Sequence, residues 1–498
     1  MRRSPIGLGA RAALGLLACA LTGLAYQRAF ELPFVFDDRI TVLLNPALVQ
    51  PWDWRALLGV WGLPAPGASD VVRAAGTVSF AVDRALWGFS SFGYHLTNVV
   101  LHIVVVALFY GTCTRALADS VSDRGQTGVK PGSHRGQSRV EARSDPGLTH
   151  DQAPGIDWAA FFAAAAFGLH PVMSSTVLYV SARPEMVGAA AFMIALMFAR
   201  RAILTSGPAP ALLATAFGAA AFAASPAGAG LPIVVLAYDA WLLRTKGWRR
   251  RLWRAYVPAM TMVILILGWR LAVEWPGMNF AGPLAAFVTH DVLTESIGVW
   301  RYLALVVVPM GQAIVRDARW VDSLADPVAW LSLAGIVAAV AGAIRLRRTA
   351  PLVSVGVIWF FGGLAAASTM VPHLDVMAEP RVYLAAAGLI FAIFAAALPY
   401  LVARRAPRIA ATAVLSVLVV LTVLRIRVWS DPLTLWTEAV TRAPGAWRGH
   451  LEFAEALKEV GQCDRAAKEI AAAGELNAHL ALQPPTGWAP CPRPPRRP

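Results

Sequence analysis

The feature that most constrains this chain is the recurrence of apolar runs near the length needed to cross a bilayer, about 20 helical residues. They fall near 10–29, 94–114, 158–179, 185–199, 209–224, 229–243, 255–273, 327–344, 351–370, 382–402 and 408–424, about eleven in all by that criterion. The runs at 185–199, 209–224 and 229–243 are short, so tilt, extension at their ends and a re-entrant path all stay open. The first run follows a basic flank and resembles a signal peptide; its reach to Tyr26 and the many runs after it read as an uncleaved first transmembrane helix. Only 15% of residues are charged, against about 25% in a soluble domain. The fold class is therefore an all-α polytopic membrane protein.

Net charge is +14, from 44 Lys and Arg against 30 Asp and Glu. In a soluble protein that balance suggests nucleic acid. Here most basic residues punctuate the apolar runs, as cytoplasmic loops require, so no nucleic-acid partner is expected. With Arg2, Arg3 and Arg11 inside, even-numbered runs end at Arg115, at Arg200–Arg201, at RTKGWRRRLWR (244–254), at Arg345–Arg348 and at Arg404–Arg405 with Arg408. All five land in the cytoplasm if 292–310, which carries Glu295 and Arg301, is re-entrant or interfacial rather than spanning. Residues 30–93 and the region from Arg425 onward then lie outside.

Two segments depart from this pattern. Residues 116–156 are polar and Gly-rich and read as a disordered cytoplasmic loop. After a membrane domain at 1–424, residues 425–482 end in a helix pair with tetratricopeptide-repeat spacing, Phe453, Ala454, Leu457, Gly461, Ala466, Ile470 and Ala473 taking its small and apolar positions. One repeat buries its face poorly alone, so packing on helix 432–443 or on the membrane domain is expected, and a protein partner could bind there. The tail 483–498 is Pro-rich. None of Cys19, Cys113, Cys463 and Cys491 has metal-site spacing; Cys463 and Cys491 could pair in an oxidising compartment.

Asp37 and Asp38, in FVFDDRITVLLNPAL (34–48), are the acids in the most telling position. An Asp pair can cap a helix, and Asp38 with Arg39 could be a surface ion pair. At the outer mouth of a membrane domain, a carboxylate could instead deprotonate an acceptor hydroxyl or help hold a divalent metal. His95, Asn98 and His102 share one face of the second helix, where interhelical hydrogen bonding is the plain reading; His95 and His102 lack a third metal ligand. His170-Pro171 reads first as a helix-ending element, with acceptor or donor contact as the alternative.

The stretch FVFDDRITVLLNPAL resembles the first outer-loop motif of the transmembrane and tetratricopeptide-repeat O-mannosyltransferase-like proteins, members of the GT-C glycosyltransferase superfamily. The resemblance continues in order through SFAVDRALWGFSSFGYHLTNVVLH (79–102), FGLHPVMSSTVLYVSARPEMVGA (167–189), AEPRVYLAAAGL (378–389) and RVWSDPLTLWTEAV (427–440). It implies a GT-C-like bundle with a small outer repeat region, in a bacterial inner (plasma) membrane with the C-terminus outside. It implies transfer of a sugar, mannose by analogy, from a polyprenyl-phosphate carrier to an acceptor hydroxyl, Ser or Thr of a secreted or membrane protein. Asp37 or Asp38 would be the catalytic carboxylate of an inverting displacement. Arg183 and Arg381 match family positions and could hold the leaving phosphate, or pair with their neighbours Glu185 and Glu379. Arg39, His95, Asn98, His170, Glu185, Glu379 and Tyr383 would line the acceptor or donor pocket. No cofactor is certain, a divalent metal ion being the open possibility.

Three positions depart from the family. Ser175 stands where a Glu is usual after His-Pro, Ser225-Pro226 replaces Lys-Glu before the sixth run, and Arg73-Ala74 replaces Arg-Pro. The alternative function is accordingly a catalytically drifted membrane scaffold of the same fold that recruits partners through its repeat. A transporter fits poorly, since no internal repeat is visible and the suggestive acids lie in a loop.

Overall fold

The computed structural model describes residues 8–45, 48, 74–126, 153–205, 207–244, 256, 260, 264, 268, 289, 292–317, 320–369 and 377–477. These form helices and, among the described residues, no strand. In chain order they are α1 (Leu8–Ala25), α2 (Ala74–Trp87), α3 (Ser91–Gln126), α4 (Ala153–Gly168), α5 (Pro171–Leu178), α6 (Arg183–Thr205), α7 (Pro208–Ala224), α8 (Leu231–Tyr238), α9 (Thr294–Val307), α10 (Pro327–Leu346), α11 (Pro351–Thr369), α12 (Val382–Ala403), α13 (Ala406–Trp429), α14 (Pro432–Arg442), α15 (Trp447–Glu459) and α16 (Cys463–Leu476). Several begin with Pro, whose fixed φ suits the first helical position and whose missing N–H would be unpaired there.

Among the described residues, eight helical stretches are long and apolar enough to cross a bilayer, and α4 with α5 forms a bent ninth. This is fewer than the eleven runs read from the sequence. The run at 158–179 is two helices meeting at 54°, α7 has only 17 residues, and 255–273 lies largely outside the described residues. Helix α9 has 14 residues, short of the ~20 that span. Helix α3 continues to Gln126, into the stretch expected to be a disordered loop; residues 127–152 of that stretch are outside the described residues. Asp119 anchors the extension, taking two bonds from Arg200 at 2.5 and 2.6 Å and one from the Tyr238 hydroxyl at 2.7 Å.

A helix broken inside hydrocarbon must have its freed carbonyls satisfied by neighbours. At the α4–α5 break, His102 Nε2 lies 3.0 Å from the Gly168 carbonyl and the Thr422 hydroxyl donates to that of Leu169 at 2.7 Å. Gly168 is required because α1 passes close by: a Cβ there would sit 2.2 Å from Thr22 Oγ1. His170 then caps α5, its Nδ1 accepting from Val172 N at 3.2 Å.

The helix ends sort onto two faces. On one, Arg11 pairs with Asp157 at 3.1 Å, Arg200 with Asp119, and Arg408 lies over Trp158; these are basic ends of the apolar runs. On the other lie the 32–38 loop, the 179–182 turn, residues 312–317 and helices α14–α16. There a second core of Trp436, Ala439, Ala443, Phe453, Ala454, Ala456, Leu457 and Ala466 closes over Phe36 and Val315. Helices α15 and α16 therefore pack on both α14 and the loops that carry Phe36 and Val315. Cys463, opening α16, is disulfide-bonded, while Cys19 and Cys113 are free.

Candidate functional site

The acidic doublet follows a backbone strain. Phe36 has φ 55°, a left-handed conformation that costs an L-residue roughly 1–2 kcal/mol. Packing holds it there. Its ring meets Tyr179 at 5.9 Å and Trp436 at 5.6 Å, and the Arg448 guanidinium lies 4.1 Å from its centroid. The turn sends the two carboxylates into different surroundings.

Asp38 is fully buried. Its Oδ1 accepts from Ser181 N at 2.7 Å and Ser181 Oγ at 2.6 Å, and its Oδ2 from Val35 N at 3.2 Å and Val180 N at 3.4 Å. These bonds rivet the loop to the 179–182 turn. Burial pushes the Asp38 carboxyl up to about 7, although all four hydrogen bonds pull the other way. Thr41, hydrogen-bonded to Ser181 Oγ, adds a second tie.

Asp37 keeps 28% of its side chain exposed. The Tyr179 hydroxyl donates to its Oδ2 at 2.7 Å and Arg448 Nη2 to its Oδ1 at 2.5 Å. Burial, with both aspartates beside it, holds the Tyr179 phenol well above the usual tyrosine range, so Tyr179 stays a donor. Arg39 points to α15, pairing with Glu459 at 3.0 Å and Glu455 at 3.8 Å. Glu452, on the same helix α15, is pushed up to about 7 by burial against the opposing pull of Arg39 and Arg448.

The other sequence-derived residues fall into separate groups. Arg183 is fully buried and occupied: it pairs with Asp83 at 2.6 Å and donates to Asn98 Oδ1 at 2.6 Å, the Tyr94 carbonyl at 2.9 Å and Ser79 Oγ at 3.3 Å. Asn98 in turn donates to the Val177 carbonyl at 3.0 Å. Arg381 faces Glu295 at 3.5 Å, and Glu379 accepts from Ala313 N and Arg316, both at 2.6 Å. Neither arginine pairs with the neighbour offered by the sequence, because residues two apart do not face each other on a helix. Glu185 instead accepts from Ser225 Oγ at 2.6 Å. His95 is buried beneath the loop with its ring stacked on Phe34. His170 Nε2 lies 3.0 Å from the Val306 carbonyl. Tyr383 is buried with its hydroxyl 2.6 Å from His102 Nδ1, deep in the bundle rather than beside the doublet.

Tyr179, Ser181, Arg448 and Glu452 were not singled out from the sequence. Tyr179 and Ser181 lie inside the quoted segment 167–189, which was their only signal; Arg448 and Glu452 had none. Among the described residues no three His, Cys, Asp or Glu side chains gather as a metal site. The Asp38 oxygens already hold four donors.

No family model and no solved structure matches the chain. Among curated proteins it is similar to Protein O-mannosyl-transferase tmtc2 of Xenopus laevis, 32% identical over 102 residues, 20% of this chain and 12% of that protein. It is similar to Protein O-mannosyl-transferase Tmtc3 of Drosophila melanogaster, 24% identical over 196 residues, 39% of this chain and 19% of that protein. It is also similar to Protein O-mannosyl-transferase TMTC1 of Mus musculus, 24% identical over 253 residues, 48% and 23% respectively. The chain thus spans less than a quarter of the length of each of these relatives. These similarities relate the chain to the TMTC-like O-mannosyltransferase family.

Proposed function

We propose that the chain is a membrane glycosyltransferase that moves a sugar, mannose on the relatives' names, from a polyprenyl-phosphate carrier to a Ser or Thr hydroxyl of a protein on the non-cytoplasmic face. Asp37 is the general base. The acceptor O–H proton passes to an Asp37 oxygen while the acceptor oxygen attacks the anomeric carbon. The bond from that carbon to the phosphate oxygen breaks, and the lipid phosphate leaves with the electron pair, inverting the centre. Asp38 holds the loop that aims its neighbour. The disulfide at Cys463 suits an oxidising compartment on the doublet's face.

The observation that carries this reading is the asymmetry of the doublet: one carboxylate sealed by four donors, the other partly open at the same helix-bundle face. The test is transfer from labelled polyprenyl-phosphate mannose to Ser/Thr-rich peptides by the full chain in lipid. Transfer that disappears in Asp37→Asn, with the protein still folded, supports it. Transfer unchanged in Asp37→Asn overturns it.

A scaffold without chemistry is the second reading. It is favoured by the Arg448 contact that closes one side of Asp37 and by Ser225-Pro226 standing in place of the family's charged pair. It predicts no turnover with any polyprenyl-phosphate sugar.

A further inference from the structure

The C-terminal helices reach the reactive loop at three points. Arg448 of α15 bonds Asp37 and lies over the Phe36 ring, Trp436 of α14 packs on that ring, and Glu455 and Glu459 of α15 hold Arg39. An appendage that only recruits partners has no need to fix a strained residue one position before the base. We infer that Arg448 is a positioning residue for Asp37, so that the C-terminal helix pair completes the carboxylate site rather than hanging from it; this rests on Asp37 being the base. The guanidinium takes Oδ1 and the Tyr179 phenol takes Oδ2, which fixes both the rotation of the carboxylate and the direction of its remaining lone pairs. Arg448 is also the cation that Asp37 pairs with, so a neutral side chain at 448 removes both the charge and the bond. Arg39 is committed to Glu455 and Glu459.

The experiment uses the full chain in nanodiscs and reads two things. The first is the pH profile of kcat for Arg448→Gln, Arg448→Lys and Glu459→Gln, the last breaking a docking contact away from Asp37. Arg448→Gln is expected to move the acid limb upward by about 1 pH unit or more and to lower kcat with little change in donor KM. Arg448→Lys returns part of the shift, and Glu459→Gln leaves the limb in place. The second readout needs no turnover: the alkylation pH profile of the Asp37→Cys thiol, with and without Arg448→Gln. An apparent thiol pKa about 1 unit higher in the double variant supports the contact. An acid limb and a thiol profile both indifferent to Arg448 overturn the inference. A thiol that responds to Arg448 while Asp37→Asn still transfers sugar upholds the contact and removes the base assignment instead.

Discussion

Substituting the two acids of the doublet separately should produce opposite defects. Asp38→Asn keeps the shape of the side chain but replaces one acceptor oxygen with an NH2 group. The backbone N–H groups of Val35 and Val180 both point at Oδ2, while Ser181 supplies two donors to Oδ1. Turned one way the amide leaves the Val35 and Val180 N–H groups without an acceptor; turned the other way it leaves Ser181 N, the Ser181 hydroxyl being able to accept from the NH2 group. Each buried unsatisfied donor costs about 1–3 kcal/mol. The amide settles on the side that leaves the single donor, for a loss of roughly 1–3 kcal/mol. Asp37→Asn gives up only a partly exposed ion pair, with 28% and 21% of the two side chains open to solvent, and such pairs contribute about 0–1 kcal/mol. The assay pairs thermal unfolding in detergent with sugar transfer. Asp38→Asn should melt several degrees below the parent, with transfer falling in step with the folded fraction. Asp37→Asn should melt near the parent and transfer nothing. Equal melting losses in the two variants, or transfer lost in Asp38→Asn while its melting is unchanged, would refute the division of roles.

Arg183→Ala should cost about 3–5 kcal/mol, because buried Asp83 loses its partner; a normal melting point with a raised donor KM would return Arg183 to phosphate binding. Asp38 and Glu452 both bind protons more tightly folded than unfolded, being pushed up to about 7. Their contribution is full below the unfolded carboxylate pKa near 4 and is lost as pH rises through 7. The melting point should therefore fall between pH 5 and 8, and Glu452→Gln should flatten that fall; a slope unchanged by Glu452→Gln contradicts it. Exposed Lys468 and Arg405 lie on opposite faces, so in intact cells an impermeant thiol reagent should label Lys468→Cys and not Arg405→Cys; the reverse pattern inverts the orientation.

The spans were legible because hydrocarbon thickness leaves a length signature that no soluble helix of ordinary size carries. The α4–α5 bend was half legible: His170-Pro171 announces a helix boundary, but the residues that satisfy the opened carbonyls, His102 and Thr422, come from helices distant in sequence. The shared face of His95, Asn98 and His102 follows from helical periodicity; the partners on it do not. Arg448 is 411 residues from Asp37 and sits in a repeat whose spacing marks only small and apolar positions, so nothing local tied it to the doublet. The Arg–Glu neighbour pairs, offered by the sequence as the alternative to phosphate contact, are not formed, for a geometric reason visible in principle from the sequence, since both pairs are two residues apart.

Ser225-Pro226 decides how the lost charged pair should be understood. Ser225 is buried, caps the turn at 226–230 through Ala227 N at 3.2 Å, and donates to Glu185 at 2.6 Å. Its Cβ lies 2.8 Å from where a side chain on Gly188 would begin, so the two helices meet with no spare room. Glu185 is in the first turn of α6, where the helix dipole already favours an anion. The Ser225 hydroxyl and the helix dipole thus hold the Glu185 carboxylate in place. Restoring the cation by Ser225→Lys removes the cap and drives a long side chain into a contact fitted to one carbon. The expected result is a loss of about 1–3 kcal/mol with no gain in transfer. If Ser225→Lys instead raised transfer at unchanged melting point, the close-packing argument would fail, and a cation at 225 would have a place in the transfer that the serine does not fill.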